Sequence, residues 1–492
     1  MAATALLILG GRPYAWLPER LEAILPAVFY LLATAPLFAA FSQEGGWLRM
    51  TGVSAVWVAI GCGWLCWLDP VFGIPCWLAV VVLGTVHFAP VGWLLARLRR
   101  RWGVDRMLWW APVAWAGWEW ARSHPPACSP WFSLGHGLWK LPVLCQLAEL
   151  TGVTGLSLVM ATVGAGLARL LLGRRDDRLQ LAVGAGLVLG LVFYGVTRMQ
   201  TIDCEAGEPV KVACVQPDVA QELKRTLDGG DMLLDVLDLT ATVPQGTQLV
   251  VWPETAATLY VDSAPAKPYV AEAARDGRFT LVAGGFHRST GEGWSPVRTN
   301  AAVIYGPDGG LLGVYNKVRL VLMGEYLPWR QYKLVRPLAE KTPQFFAGRG
   351  FLPVDTPAGR LGVAICYESV FPGDCRALTR AGAELLVVMT NDDQLQQSGA
   401  REHYQQAVFR CIENRRWMAR CANGGISAVV DPLGRVTTAS QWNQRTVLPG
   451  TVYRRHDRSP MVRWGEWFGA VCLLVSVAAA FWPSSPRAAD PE

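Results

Sequence analysis

The segment Leu361-Gly362-Val363-Ala364-Ile365-Cys366-Tyr367-Glu368 decides how this chain is read. Its aliphatic residues form a short buried strand that ends in a cysteine, followed by a turn with a carboxylate. A cysteine in that setting is ordinarily a small core residue. Two other strand ends change the balance. Val250-Val251-Trp252-Pro253-Glu254 runs an apolar strand into a proline and a carboxylate, and Tyr315-Asn316-Lys317 follows a hairpin turn at Pro307-Asp308-Gly309-Gly310. Taken singly, Glu254 reads as a solvated turn residue and Lys317 as a surface lysine. Together the three supply a thiol nucleophile, a carboxylate that can take and return its proton, and a cation for an oxyanion. Strand ends on one sheet edge bring residues ~50–60 positions apart into one pocket.

Working outward, residues 209–452 read as one globular unit. Short aliphatic or β-branched runs at 210–216, 248–252, 280–284, 301–305, 361–366, 385–390 and 426–431 are predicted strands. Helical stretches lie near 219–241, 268–276, 373–381 and 401–418, so strands alternate with helices as in a layered α/β domain. Asp431-Pro432-Leu433-Gly434 reads as a second hairpin turn.

The first part of the chain has a different composition. The 492 residues are 52% hydrophobic and only 17% charged, and 45 basic against 39 acidic residues leave a formal charge of +6. Such a balance excludes a disordered chain and implies no nucleic-acid partner. Residues 1–200 hold 15 of the 23 Trp but only 9 Asp or Glu. Apolar runs at 22–41, 52–68, 71–96, 107–121, 146–172 and 179–197 approach the ~20 residues a bilayer-crossing helix needs. A last run covers 465–482. The expected organisation is an N-terminal transmembrane domain (1–200), a catalytic domain (209–452) and a C-terminal transmembrane helix (464–483). The twelve Cys show no C-x-x-C pair and the six His do not cluster, so neither a metal site nor a disulfide framework is expected.

Arginines set the orientation. Arg97, Arg99, Arg100, Arg101 and Arg106 occupy one loop, and Arg174, Arg175 and Arg178 another, two spans later. Both loops are expected in the cytoplasm, which puts residues after about 200 on the outer face. Counting back, six spans put the N-terminus outside unless Ala2–Gly10 forms a seventh. Arg454, Arg455, Arg458 and Arg463, just before the last run, count mildly against this orientation.

Glu254, Lys317 and Cys366, in the contexts W-P-E, Y-N-K and I-C-Y-E, resemble the Glu-Lys-Cys triad of the nitrilase superfamily. With flanking membrane spans, the whole chain resembles the apolipoprotein N-acyltransferase family of bacteria. Further resemblances are Trp118-Glu119-Trp120-Ala121-Arg122, Pro130-Trp131, Gln146-Leu147-Ala148 and Gly152-Val153-Thr154-Gly155-Leu156-Ser157 in the membrane part. In the globular part they are Val215-Gln216, Gly324-Glu325-Tyr326-Leu327-Pro328, Asn391-Asp392 and Asn423-Gly424-Gly425-Ile426-Ser427. The resemblance implies an α-β-β-α sandwich behind a multi-span α-helical membrane domain. It implies Cys366 as nucleophile, Glu254 as general base and acid, Lys317 as oxyanion stabiliser and Glu325 as a supporting carboxylate. Tyr367, Glu368 and Asn391 would shape or support the pocket; for Glu368 an internal salt bridge to an arginine of helix 401–418 is an equal expectation.

The implied reaction moves an acyl chain from a phospholipid, through a Cys thioester, to the N-terminal amine of diacylglyceryl-cysteine lipoproteins. It implies a monomer in the bacterial inner membrane, in contact with membrane lipids, with the catalytic domain periplasmic and no cofactor. Three departures bear on the acceptor. Asn391-Asp392-Asp393-Gln394-Leu395-Gln396-Gln397 stands where the family has N-D-A-W-F-G, which should weaken contact with lipid chains. Val321-Leu322-Met323-Gly324-Glu325 replaces V-P-F-G-E, and Lys224-Arg225 replaces K-W. A membrane-anchored amidase, an N-acyltransferase with another amine acceptor, and a non-catalytic assembly protein are the alternatives. The arginine pattern is tested by reporter fusions: at about residues 103 and 176 they should report cytoplasm, and at about 300 periplasm. A cytoplasmic signal at 300 would remove the assignment to the outer face.

Overall fold

The computed structural model describes residues 19–43, 52, 55, 59, 73–125, 128–174, 178–220, 223–224, 228–290, 296–333 and 336–482. Most of the apolar run 52–68, the segment Ala2–Gly10 and Arg225 lie outside them. The chain divides into two compact units, Met1–Thr201 with Glu466–Glu492, and Ile202–Gly465.

The first unit is helical: α1 (Glu19–Phe41), α2 (Gly73–Ser123), α3 (Val153–Leu171) and α4 (Leu179–Thr201), with a C-terminal helix at Trp467–Phe481. Among the described residues, three helices are long and apolar enough to cross a membrane: Val80–Ser123 within α2, α3 and α4. At ~1.5 Å per residue α2 would be far longer than a bilayer is thick. It is broken at Gly103, whose φ of 77° is not helical, inside the arginine-rich segment. The runs at 71–96 and 107–121 are thus separate helical arms.

Small residues let these helices approach. A Cβ on Gly164 of α3 would lie 1.7 Å from Thr34 Oγ1 of α1. Helix α4 carries exposed Leu189 and Phe193, side chains suited to lipid. The W-E-W-A-R motif is a buried brace. Glu119 accepts from Trp115 Nε1 (2.7 Å) and Leu134 N (2.9 Å), and Arg122 donates to the carbonyls of Ser129 (2.8 Å) and Trp131. Ser157 of the G-V-T-G-L-S motif receives Gly135 N at 2.8 Å.

The unit also has two distinguishable ends. Asp105 pairs with Arg169 and Arg174, joining the two arginine-rich loops. At that same end Arg97 Nε and Trp102 Nε1 donate to the carbonyls of Ala480 (3.1 Å) and Ala479 (2.9 Å), the last turn of the C-terminal helix. Its first turn lies at the other end, where Trp467 Nε1 donates to Leu150 O (3.0 Å). There Arg198, near the end of α4, pairs with Glu149 at 2.5 Å.

The second unit holds two six-stranded sheets. Its strands are β1 (Pro209–Gln216), β2 (Leu249–Val251), β3 (Thr280–Thr290), β4 (Pro296–Tyr305), β5 (Leu311–Asn316), β6 (Val354–Thr356), β7 (Gly359–Ile365), β8 (Leu385–Thr390), β9 (Met418–Ala422), β10 (Ala428–Val430), β11 (Val436–Ala439) and β12 (Thr446–Tyr453). One sheet runs β12-β1-β2-β3-β4-β5 and the other β11-β10-β9-β8-β7-β6. Within them β1-β2-β3 and β7-β8-β9 are parallel. Strands β8 and β9 are buried along their whole length, β8 as the continuous apolar run expected between two layers and β9 with Arg420 at its centre.

The sheets face each other through β1 and β9, where Cys421 Sγ donates to the carbonyls of Val215 (3.2 Å) and Val251 (3.1 Å). Helices α5 (Gly229–Thr240) and α6 (Ala266–Gly277) cover the first sheet, and α7 (Pro372–Arg380) and α8 (Gln396–Asn414) the second. This is the α-β-β-α sandwich. Trp252, fully buried, ties the end of β2 to α5 by donating from Nε1 to Thr240 Oγ1 (2.9 Å).

Helix α8 begins and ends earlier than its sequence suggests. It stops at Asn414, because Arg415 turns left-handed (φ 52°), and the chain re-enters the sheet as β9. Gly284 of β3 is a spacing requirement of another kind. A Cβ there would meet Pro253 O at 1.9 Å, so only glycine lets the turn after β2 pass and carry Glu254 inward. Gly284→Ala should destabilise the fold by about 1–3 kcal/mol and displace Glu254, read as a lower unfolding temperature with reduced activity of the remaining folded protein.

Candidate active site

Each chemistry-bearing residue follows a strand's last residue. Glu254 comes after β2 and the Trp252-Pro253 turn, Lys317 directly after β5, Cys366 directly after β7, and Asn391 directly after β8. Lys317 is 1% exposed and donates from Nζ to Glu254 Oε1 and Glu325 Oε1, both at 2.9 Å. Asn300 of β4 donates from Nδ2 to the same two oxygens, both at 2.8 Å. The other oxygens are also held: Glu254 Oε2 accepts from Asn391 N (3.1 Å) and Glu325 Oε2 from Val321 N (2.8 Å). The Gly324-Glu325 loop makes this possible by doubling back, with Met323 N donating to Tyr326 O and Glu325 N to Val321 O.

Electrostatics couples Cys366 to this cluster. Burial pushes its thiol up, Glu254 adds to that, and Lys317 opposes it, so the resting sulfur keeps its proton. Burial works against the Lys317 charge, but Glu254, Glu325 and Cys366 outweigh it and hold the ammonium well above the ordinary lysine value. Lys224 is a second buried cation nearby, its Nζ donating to Thr255 O at 3.1 Å. Burial pulls it down to about 8, against Glu254 and Asp393. The site therefore offers a neutral thiol, a carboxylate base whose oxygens already accept hydrogen bonds, and a fixed ammonium, a set suited to acyl transfer through a thioester.

Residues 211–458 match the carbon-nitrogen hydrolase family, and residues 3–166 match the apolipoprotein N-acyltransferase N-terminal domain. An apolipoprotein N-acyltransferase of Azotobacter vinelandii is 33% identical over 514 residues, covering 97% of this chain and 93% of the relative. One of Geobacter metallireducens is 31% identical over 406 residues, covering 80% and 77%. A crystal structure of a carbon-nitrogen hydrolase from Helicobacter pylori is 18% identical and covers 53% of this chain and 94% of that chain with a TM-score of 0.39. The chain belongs to the apolipoprotein N-acyltransferase family. It is an enzyme, an acyltransferase with a nitrilase-type domain and membrane helices.

Within this family member, the remaining expected residues take distinct positions. Tyr367 is half-buried with its ring edge-on to Phe371, centroids 4.9 Å apart. Asn391 Oδ1 accepts from Asn423 Nδ2 (3.1 Å), which links the N-D and N-G-G-I-S motifs. Gln216 Oε1 likewise accepts from Ser427 N (3.2 Å) and Oγ (2.5 Å).

Glu368 corrects one expectation. It makes no bridge to an arginine of helix 401–418; its oxygens accept from Ile365 N (2.7 Å), Tyr315 OH (2.9 Å), Val318 N (2.6 Å) and Arg319 N (3.1 Å). Arg410 of that helix pairs with Glu413 instead. Burial raises the Glu368 carboxyl to about 7 despite the backbone donors. Glu368 thus staples the turn after Lys317 to the turn after β7 and belongs to the scaffold under Cys366. The acidic-polar stretch after Asp392 starts as a short turn of helix, Asp393–Leu395. The Gln394 side chain lies outside the described residues.

Sequence reasoning missed Asn300, which sits in β4 between the polar Arg298-Thr299 and the apolar Ala301–Tyr305 with no local signal of its role. Its amide must point Nδ2 at the two carboxylates, since the reverse orientation would oppose oxygens to oxygens. Asn300→Leu removes a donor shared by both. At about 1.5–3 kcal/mol for a hydrogen bond to a charged group, acyl-enzyme formation should fall about 10- to 100-fold, measured in a single-turnover assay on folded protein. Asn300→Asp, adding a third carboxylate, should be worse than Asn300→Leu.

Proposed function

We propose that Cys366 carries an acyl chain from a phospholipid to the N-terminal amine of a diacylglyceryl-cysteine lipoprotein. The observation that carries this reading is the buried Lys317 ammonium clamped by Glu254 and Glu325 in the electrostatic field of the Cys366 thiol. As the thiol approaches the donor's ester carbonyl, its proton passes to Glu254 and sulfur bonds to carbon. Lys317 stabilises the tetrahedral oxyanion. Collapse breaks the ester C–O bond, Glu254 returns the proton to the leaving alkoxide, and a lysophospholipid departs. The acceptor amine then attacks the thioester, Glu254 takes an ammonium proton, the C–S bond breaks, and the thiolate is reprotonated as the amide leaves. One site thus serves two substrates in turn, and ping-pong kinetics follow.

The second unit is assigned to the periplasmic face. The grouping of both arginine-rich loops at one end of the helical unit, with the end of α4 and the start of the C-terminal helix at the other, supports this. Other cysteines are poorer nucleophiles. Cys214 and Cys375 are buried, and Cys204 follows α4, with its thiol in contact with Arg435.

The test is incubation with a phospholipid bearing a labelled acyl chain, followed by detection of hydroxylamine-sensitive acyl enzyme and of labelled lipoprotein. Cys366→Ala should abolish both signals. Glu254→Gln should lower them by roughly 10²- to 10⁴-fold, and Lys317→Arg, which keeps the charge but not the geometry, should also fail. Label trapped by the Cys366→Ala protein, or lost on Cys214→Ala in a folded protein, would show that the nucleophile lies elsewhere.

A further inference from the structure

Behind the nucleophile lies a second polar cluster that the steps above do not use. Cys366 holds a left-handed backbone (φ 52°), a conformation that costs a residue with a side chain and persists only where its surroundings fix it. Its carbonyl is turned into the protein. There it accepts from His403 Nε2 (2.9 Å) and from Ser369 Oγ (2.8 Å), while Ser369 Oγ and His403 Nε2 lie 3.0 Å apart. His403 Nδ1 meets Asp392 Oδ1 at 2.8 Å. Asp392 also accepts from Thr390 Oγ1 (2.6 Å) and from Arg420 Nη2 (2.5 Å). All of His403, Asp392, Arg420, Thr390 and Ser369 are buried.

The hydrogen-bond roles follow from chemistry. A backbone carbonyl can only accept, so His403 Nε2 and Ser369 Oγ are the groups that can donate to it, while His403 Nδ1 faces the Asp392 carboxylate. Burial opposes the Asp392 charge, yet Arg420 and His403 hold its carboxyl well below the usual range, so it remains an acceptor. The peptide between Cys366 and Tyr367 is planar, so fixing its carbonyl on His403 turns the Tyr367 N–H to the opposite side. A donor on the carbonyl also polarises the peptide and strengthens that N–H. The same loop carries Asn391, whose N–H holds Glu254.

We propose that His403, anchored by Asp392, is a positioning residue for acyl-enzyme formation: it fixes and polarises the Cys366–Tyr367 peptide and so sets the nucleophile and its adjoining N–H against the developing oxyanion. This rests on Cys366 being the nucleophile. His403 touches no reacting atom, and its effect should fall on the acylation rate rather than on donor binding.

The test uses the full-length protein in lipid nanodiscs, with three readouts: acyl-enzyme formation from a labelled phospholipid, alkylation of Cys366 by iodoacetamide, and thermal unfolding. Alkylation uses the same sulfur but forms no oxyanion. His403→Ala should slow acylation by about 10- to 100-fold, leave the donor KM within about twofold and leave the alkylation rate little changed. His403→Gln keeps an N–H donor near Nε2 and should recover most of the loss. Acylation at the wild-type rate in His403→Ala would overturn the proposal, as would acylation and alkylation falling together. If the alanine protein does not fold, a folded His403→Gln protein that acylates at less than about one-tenth of the wild-type rate overturns it as well. A Cys366→Ala control separates the two levels: label trapped there refutes the nucleophile and this inference with it, whereas an unchanged His403→Ala rate with a silent control refutes His403 alone.

Discussion

The ammonium of Lys317, out of water between two carboxylates, is the interaction on which the rest of the catalytic unit depends. Burying three charged groups is costly, and removing one partner of such a set leaves an uncompensated charge at a cost of roughly 3–5 kcal/mol. The cluster holds because its hydrogen bonds are supplied from separate elements: Asn300 from β4, Asn391 N from the end of β8 and Val321 N from the Glu325 loop. Burial of the ammonium therefore draws on all of these elements at once. The same field falls on Cys366, where Glu254 and Lys317 act in opposite senses. Burial and Glu254 push that thiol up, and Lys317 is the opposing charge.

The second sheet solves a similar problem differently. Arg410, Arg415, Arg416 and Arg420 are all essentially buried. They reach backbone carbonyls and carboxylates: Arg415 donates to Pro432 O (2.8 Å), Arg416 to Ala383 O (2.7 Å), and Arg420 to Asp392 and Ile426 O. A planar guanidinium can satisfy several fixed acceptors at once. These arginines tie the turns after β9 and β10, and the loop before β8, into one rigid floor. On that floor Glu368 joins the turns after β5 and β7, where Lys317 and Cys366 stand. The small displacements that separate a productive from an idle nucleophile are resisted by side chains that never meet substrate.

What was legible beforehand follows the range of the interaction. Strands β7 and β8 announce themselves as apolar runs with polar ends, and the reactive residues at the strand ends stand out because each interrupts such a run. Strand β9 was hidden, since Arg415-Arg416-Trp417-Met418-Ala419-Arg420 reads as the polar end of a helix; only partners distant in sequence make those arginines compatible with a buried strand. Strands β6, β11 and β12 carry exposed residues and little alternation, and they form by pairing with β7, β10 and β1. Asn300 and His403 could not be assigned for the same reason: their chemistry is set by residues 25 to 46 positions away for one and 11 to 37 for the other.

The arginines before the C-terminal helix seemed at odds with an outer-face catalytic unit, and the structure supplies a physical reason to discount them. Positive residues set orientation in short loops beside a span, whereas folded domains translocate largely regardless of their charge. Arg454 is paired with Glu384 at 2.7 Å and with Glu208 at 2.5 Å, and Arg455 with Asp457 at 3.0 Å. Arg458 donates to Arg380 O at 3.1 Å. These side chains close the seam between the first and last segments of the folded unit, with two of their charges balanced inside it. The arginine-rich loops, with five arginines at 97–106 and three at 174–178, are by contrast short segments between spans, where Asp105 meets Arg169 and Arg174. Both loops lie at the end where Arg97 and Trp102 hold the last carbonyls of the C-terminal helix. Weighing the arginines of short loops over those folded into the second unit therefore favours the proposed orientation, and Arg454, Arg455 and Arg458 become part of that unit's own scaffold.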